Sequence, residues 1–180
     1  LTPNRADAMG HIGVARDLKA YVNFHYKKNN SLKFPTSKNE IKNKTEEIKV
    51  TVVCPDACPR YAGAVIKNIK VAESPDWLKN KLRTIGAKPI NNIVDITNYV
   101  MFETGNPLHA FDLSQVGKEI VIRKATLNEQ IVTLDGLERK LSTEDLLICN
   151  STQPMCIAGI FGGQNSGIKE NTSSLFLEVA

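Results

Sequence analysis

Apolar residues near the start of the chain recur at the spacing of one helix face, namely Ala8, Ile12, Ala15, Leu18 and Val22. The pattern predicts an amphipathic helix from about Asp7 to Phe24, with Asp7 as its N-cap. A lone helix cannot bury such a face by itself. We therefore expect residues 1–26 to be the helical end of a preceding module, in a chain that starts within a longer protein.

Two shorter helices are predicted near the middle of the chain. The first starts after Ser74-Pro75, a favoured helix beginning, and ends at Gly86. The second covers the run from Asn91 to Met101, where apolar residues again keep helical spacing, and Gly105 is placed to cap its C-terminus. The chain then turns at Asn106-Pro107 and continues into a short extended segment.

Extended segments rich in β-branched residues surround these helices, at 48–53, 61–71, 120–124, 130–134, 146–149, 155–160 and 175–179. A turn is expected at Asp135-Gly136. The strands do not alternate with helices as they do in βαβ units, so a doubly wound sheet is not expected. We predict an α+β fold, a β-rich module with mostly antiparallel or mixed sheets, two short helices and the N-terminal amphipathic helix.

Composition and charge suggest how the chain is divided. The 180 residues are 42% hydrophobic and 23% charged, without an apolar run of membrane length or a signal-peptide pattern, so we expect a cytoplasmic protein with no membrane partner. Much of the net charge of +4 comes from a Lys-, Asn- and Ser-rich stretch with few large apolar residues. We interpret residues 27–47 as a solvated linker and residues 48–180 as the main module, cut short at its C-terminal end.

The four cysteines, Cys54, Cys58, Cys149 and Cys156, are spaced C-x3-C and C-x6-C rather than as the C-x2-C pairs of a zinc site. We expect reduced thiols, mostly buried as small hydrophobic side chains, and no metal site. The sequence also lacks the G-x-S-x-G and H-E-x-x-H motifs of covalent and metal-dependent hydrolases.

Three features are candidates for chemistry. His109 follows the helix-ending Gly105, and a neutral imidazole there can accept a proton or hold a water, oriented by Asp112. The alternative is a structural histidine satisfied by its neighbours. Four glycines between Ile157 and Gly167 leave backbone N–H groups able to bind an anion or a developing oxyanion, with a tight structural turn as the alternative.

The third candidate is Glu178, a carboxylate that alternates with apolar residues in the last predicted strand. Alternation places it on the face opposite Leu177 and Val179. That face is solvent-exposed by default. If it lines a cavity instead, the carboxylate can accept a hydrogen bond from a ligand hydroxyl or ammonium group.

Several long motifs occur together and in order along the chain, at 2–8, 13–18, 91–100, 107–112 and 158–167. They closely resemble the β chains of bacterial phenylalanyl-tRNA synthetase, over essentially the whole chain except the Lys-rich linker. The matching part is the end of the first β-chain module together with the central third and fourth modules. In that family, these central modules form the editing site.

The resemblance implies hydrolysis of tyrosine wrongly esterified to the phenylalanine tRNA. Glu178 matches the acidic residue that receives the tyrosine phenol. Other positions matching the family's pocket are Thr97, Asn98 and His109, expected to act in catalysis, and Ala158, Gly159 and Gly162, expected to bind substrate. We expect His109 to orient the terminal ribose or the attacking water, and backbone N–H groups of the glycine-rich segment to polarise the ester carbonyl.

The resemblance also implies partners outside this chain. They are a synthetase α chain, in a heterotetramer of two α and two β chains, and the acceptor end of the tRNA. ATP and magnesium would be bound elsewhere in the parent enzyme, and this chain itself would need no cofactor. Two alternatives stay open: a non-catalytic tRNA-binding module, which predicts a basic and aromatic surface stripe, and a subunit scaffold, which predicts an apolar patch near the N-terminal helix.

Overall fold

A computed structural model describes residues 2, 4–36 and 48–179, which form the predicted α+β fold. A single 3-10 turn at Ala6–Ala8 precedes the helices α1 (His11–His25), α2 (Asp76–Thr84), α3 (Asn92–Thr104) and α4 (Leu113–Val116). The strands are β1 (Lys49–Val52), β2 (Ala62–Lys67), β3 (Leu108–Asp112), β4 (Glu119–Lys124), β5 (Gln130–Val132), β6 (Glu138–Lys140), β7 (Leu146–Cys149), β8 (Pro154–Ile157), β9 (Phe161–Gly162) and β10 (Ser174–Val179). In this described part, no helix is both long and apolar enough to cross a membrane.

The strands form three sheets, mostly antiparallel as predicted. A five-stranded sheet has the order β1-β4-β7-β8-β9, in which only the β1–β4 pair is parallel. A three-stranded antiparallel sheet has the order β2-β10-β3, and β5 pairs with β6 in a two-stranded ribbon. The last described strand, β10, is thus the central strand of its sheet.

The main core lies between the five-stranded and the three-stranded sheets. Phe111 of β3 and Phe176 of β10 pack there against residues of the five-stranded sheet such as Ile122 and Ile148. Because strand residues alternate between faces, Ala110 and Leu175 lie on the opposite face of the three-stranded sheet, and both are buried as well. Strands β3 and β10 are therefore buried on both faces, whereas Ile66 of the edge strand β2 is exposed, and α3 packs against the other edge strand, β3.

Helix α3 begins and ends where the sequence predicts. The Asn91 side chain accepts hydrogen bonds from the backbone N–H groups of Ile93 and Val94 at 3.1 and 3.0 Å, as an N-cap does. Gly105 closes the helix in the left-handed conformation, with φ of 85°. This end leads directly into β3 and so fixes the position of His109.

The beginning of α1 differs from the prediction. Its N-cap is Gly10, and Asp7 instead lies in the preceding turn, where its carboxylate binds Arg5 at 2.9 Å. The predicted N-cap is wrong because an ion pair two residues away occupies the Asp7 side chain. The predicted buried face is also incomplete, since Leu18 is 60% exposed while Ile12 and Val22 are half-buried.

Other differences have local causes. The second strand ends at Lys67 because Asn68 adopts a positive φ of 58°, which breaks extended structure. Ser74 does not cap α2, since its hydroxyl donates to the buried carboxylate of Asp95. Helix α4 and the short strands β6 and β9 were not predicted, because each has only two to four residues and shows no hydrophobic periodicity.

The predicted linker lies partly outside the described residues. Residues 27–36 have no regular secondary structure, and residues 37–47 are outside the described part. The boundaries at residues 26 and 47 therefore stay predictions. All four cysteines are free thiols, and Cys58, Cys149 and Cys156 are buried.

Candidate functional site

The sheet register brings Glu178 and His109 side by side. Glu178 of β10 pairs directly with His109 of β3 on one side and with Gly63 of β2 on the other. Residues directly opposite in an antiparallel pair project from the same face of the sheet. Phe176 and Phe111 share that face and lie in the core between the two large sheets. Both candidate groups therefore point toward the five-stranded sheet.

This placement decides between the two interpretations of Glu178. The predicted alternation with Leu177 and Val179 is correct, but the default of a solvent-facing carboxylate is wrong, because Glu178 is only 7% exposed. The second sheet covers the face that the sequence pattern left open. Burial raises the pKa of Glu178 to about 7, although a hydrogen bond from Tyr61 opposes the shift.

Tyr61 holds the Glu178 carboxylate from just before β2. Its hydroxyl donates to Glu178 Oε2 at 3.1 Å, and its ring stacks on Phe176 with centroids 6.5 Å apart. Burial, followed by the charge of Glu178, raises the pKa of Tyr61, so the phenol stays protonated and can donate. Sequence reasoning missed Tyr61, because the two residues are 117 positions apart and the hydrogen bond requires the pairing of β2 with β10.

The His109 ring is enclosed. Its Nε2 atom is shielded from solvent and has no hydrogen-bond partner among the residues described. The ring makes an edge-on contact with Phe111 at 4.4 Å, and a Cβ added to Gly162 would lie 2.9 Å from His109 Cε1. Burial lowers the pKa of His109, so the imidazole is neutral at physiological pH.

Asp112 does not orient His109. Its carboxylate accepts hydrogen bonds from the backbone and hydroxyl of Ser114 and from the Thr172 hydroxyl. Three positions apart on a strand, Asp112 and His109 lie on opposite faces of the sheet. The expected role of Asp112 is therefore wrong, and Nε2 of His109 is left without a partner in the part of the chain that the structure describes.

A cavity of about 440 Å³ lies beside Tyr61. Its lining includes Cys58, Arg60, Tyr61, Ala158 and Gly159. The last two residues form a turn closed by a hydrogen bond from Ile160 N–H to the Ile157 carbonyl, and Gly159 has a φ of 68°, where a side chain would be strained. The glycine-rich segment thus contributes both to this cavity and, through Gly162, to the surroundings of His109.

Thr97 and Asn98 lie on α3, the helix that packs against β3. Thr97 is buried, and its hydroxyl donates to the Val94 carbonyl of its own helix at 2.8 Å. Asn98 is half-buried. Within the described ranges, no hydrogen bond joins either residue to His109 or Glu178. Of the predicted site residues, Glu178, His109 and Gly162 are brought together, and Ala158 and Gly159 line the neighbouring cavity.

Metal and thiol chemistry find little support in this region. Across the described residues, no group of three or more His, Cys, Asp or Glu side chains is arranged to hold a metal ion. Burial and the charge of Glu178 raise the pKa of Cys156 to about 12, so this thiol is not a thiolate near neutral pH. The arrangement offers a carboxylate acceptor at Glu178 and a buried, unpartnered imidazole nitrogen at His109.

Comparison with known proteins gives one consistent result. The family model of the B3/4 domain matches residues 57–180. The phenylalanine–tRNA ligase β subunit of Bacteroides fragilis is 50% identical over 181 residues, covering all of this chain and 22% of that protein. The corresponding subunit of Porphyromonas gingivalis is 51% identical over 186 residues, with the same coverage.

A solved structure shares the fold at lower identity. The N-terminal fragment of the phenylalanyl-tRNA synthetase β subunit from Pyrococcus horikoshii matches with a TM-score of 0.56 and 16% identity, over 98% of this chain and 52% of that chain. At this identity the similarity concerns the fold alone. The chain spans 22% of the length of the curated relatives described above.

Proposed function

The chain belongs to the B3/4 domain family and corresponds over its whole length to part of phenylalanine–tRNA ligase β subunits, and on this premise we propose that it carries an editing site. The reaction is hydrolysis of the ester between tyrosine and the phenylalanine tRNA. An apolar pocket shaped for phenylalanine rejects a ring with one added hydroxyl by only about a hundredfold. Some tyrosine is therefore esterified to the tRNA in error. A second site that binds the tyrosine hydroxyl can recognise this ester and hydrolyse it.

The buried carboxylate of Glu178 is the observation that carries this proposal. It lies between two sheets, next to a cavity, and Tyr61 is its only side-chain donor in the described part of the chain. A tyrosine phenol can donate to the remaining oxygen, whereas phenylalanine would leave a buried acceptor without a partner. Sites built to bind a hydroxyl reject the analogue lacking it by about 10⁴–10⁵.

The surroundings suggest water as the nucleophile. His109 is neutral and offers an unpartnered Nε2, which suits a group that holds the attacking water or a ribose hydroxyl. In the turn beside the cavity, the Ala158 N–H donates to the Leu146 carbonyl at 2.8 Å, and the exposed Gly159 offers its backbone N–H for the ester carbonyl. We assign Gly162 the role of setting the position of the His109 ring, and Thr97 and Asn98 the role of completing the pocket from α3.

The test is hydrolysis of tyrosyl- and phenylalanyl-tRNA by the full-length ligase carrying Glu178→Ala. We expect the preference for the tyrosyl ester to be lost. Glu170→Ala is the matched control, since it removes an exposed carboxylate and should leave the preference intact. Unchanged selectivity in Glu178→Ala would place the discrimination elsewhere and end the proposal.

The proposal extends to the parent enzyme. The curated relatives are β subunits of a ligase, so we propose that the whole protein works in the cytoplasm with an α chain, in a heterotetramer, and binds the tRNA acceptor end. ATP and magnesium would serve the ligation reaction outside this region. No cofactor is needed for the ester hydrolysis proposed here.

A second role is favoured by the surface of α1. Val14, Leu18, Tyr21 and Phe24 are all exposed along this helix, between 43% and 70%. We propose that this face contacts other parts of the ligase, as the scaffold hypothesis predicts, alongside the editing role. Serine substitutions at Leu18 and Phe24 should weaken subunit assembly in size-exclusion chromatography without changing ester selectivity; unaltered assembly would contradict this second role.

A further inference from the structure

We infer that Tyr61 is a positioning residue for Glu178, fixing one carboxylate oxygen so that the other is presented to the ligand phenol. This inference rests on the proposed editing function. Its basis is the 3.1 Å hydrogen bond from the Tyr61 hydroxyl to Glu178 Oε2. No other donor in the described part of the chain reaches this carboxylate, so the second oxygen is left for a ligand.

The Tyr61 ring is held in place by packing. It stacks on Phe176 with an angle of 9° between the ring planes. Phe176 in turn lies over Gly63, where an added Cβ would be 2.0 Å from its Cζ atom. Gly63 also pairs directly with Glu178. Because Gly63 has no side chain, the Phe176 ring can lie beside the Glu178 carboxylate. The hydroxyl therefore approaches Glu178 from a fixed direction.

Tyr61 also links the carboxylate to the cavity. It lines the cavity together with Ala158 and Gly159, and its hydroxyl contacts Glu178, which is itself outside the cavity lining. A phenol that enters past Ala158 and Gly159 would meet Glu178 next to the Tyr61 hydroxyl. Two phenols would then donate to the two oxygens of one carboxylate, a geometry that a lone, freely rotating glutamate would not maintain.

Tyr61 carries the same phenol group as the proposed substrate, which raises a second possibility. It could occupy the substrate's own position and have to be displaced before tyrosine binds. The stacking on Phe176 and the burial of the ring favour a permanent partner over a displaceable one.

Other titratable groups around Glu178 are His109 on β3, Cys156 on β8 and Cys58 before β2.

Tyr61→Phe in the full-length ligase tests the inference, because it keeps the stacked ring and removes only the hydroxyl. We expect selectivity for tyrosyl over phenylalanyl-tRNA to fall about 10-fold, the typical effect of losing one hydrogen bond to a charged group. Hydrolysis of the phenylalanyl ester should not change. The pKa of Glu178 should rise, and the pH profile of tyrosyl-ester hydrolysis should shift upward with it.

The control is Tyr99→Phe. Tyr99 also contacts a glutamate, Glu103, at 3.4 Å, but on α3 and outside the cavity. It should change neither selectivity nor the pH profile. Unchanged selectivity in Tyr61→Phe overturns the inference, and so does a lower KM for tyrosyl-tRNA, which would mean that Tyr61 competes with the substrate.

A measurement independent of activity separates this inference from the proposed function. Carbon-13 NMR of the Glu178 carboxyl reports its pKa in the unmodified protein and in Tyr61→Phe. If the unmodified ligase shows no tyrosyl preference, the proposed function fails, whatever Tyr61 does. If the preference exists and the Glu178 pKa does not move in Tyr61→Phe, the hydrogen bond does not hold the carboxylate and only the inference fails.

Discussion

Replacing Glu178 with glutamine should stabilise the fold in a way that depends on pH. In the folded chain, burial raises the pKa of the Glu178 carboxyl group from its ordinary value of 4.5 to about 7. Glutamine has nearly the same shape, keeps an oxygen that can accept from Tyr61, and cannot ionise. The substitution therefore removes the cost of burying the charge and leaves the packing in place.

The size and sign of the effect follow from proton binding. Between pH 4.5 and about 7, the folded chain holds a proton on Glu178 that the unfolded chain has lost, so stability falls as the pH rises through this window. A shift of that size corresponds to about 3 kcal/mol at 1.36 kcal/mol per pKa unit. Below pH 4.5 both states are protonated, and above about pH 7 the cost is complete.

Urea unfolding at pH 4.5 and pH 8 measures this directly, with the fluorescence of Trp77, the single tryptophan, as the probe. The stability gain of Glu178→Gln over the unmodified chain should increase by about 3 kcal/mol between the two pH values.

Glu170→Gln is the control, because it makes the same chemical change at an exposed position. Its stability should follow that of the unmodified chain at both pH values. If the gain of Glu178→Gln is the same at pH 4.5 and pH 8, the carboxyl group is not held near a pKa of 7. Burial of Glu178 would then not cost the fold the stability expected here.

Three further changes have defined outcomes. Asn91→Ala removes the N-cap of α3 and should cost about 1 kcal/mol in urea unfolding, and an unchanged midpoint would contradict the cap. Gly162→Ala places a Cβ against the His109 ring and should slow tyrosyl-ester hydrolysis about 10- to 100-fold with the circular dichroism spectrum retained; full activity would show that the ring position is not critical. Glu129, paired with Arg123, has a pKa of about 2, so its stabilising effect is present above pH 4.5 and lost as the pH falls toward 2; Glu129→Gln should flatten acid unfolding between these values, and an unaltered acid curve would disprove the effect.

The sequence predicts well those features that depend on near neighbours. The predicted C-terminal cap of α3 requires only Gly105 and residues within one helical turn of it. Which residues of β10 share a face follows from strict alternation alone, and this correctly places Glu178 on the face opposite to that of Leu177 and Val179. His109 in a short strand after the turn follows from the same local rules.

Features that depend on distant packing were not predictable. Alternation cannot tell a solvent-facing carboxylate from a buried one, because a second sheet decides the burial of Glu178. The donor Tyr61 lies just before β2, 117 residues away in the chain, and no pattern near either residue signals the contact. Asp7 failed as a cap for a local reason instead, since Arg5, two residues away, binds its carboxylate.

The central position of β10 also affects how the site is formed during folding. Its two neighbours, β2 and β3, do not pair with each other, so neither can build the sheet before β10 is inserted between them. Contacts of such long range form slowly, since a large loop must close first. Glu178, His109 and Tyr61 therefore cannot be brought together before β10 is in place, and a growing chain on the ribosome lacks this candidate site until the residues of β10 have emerged.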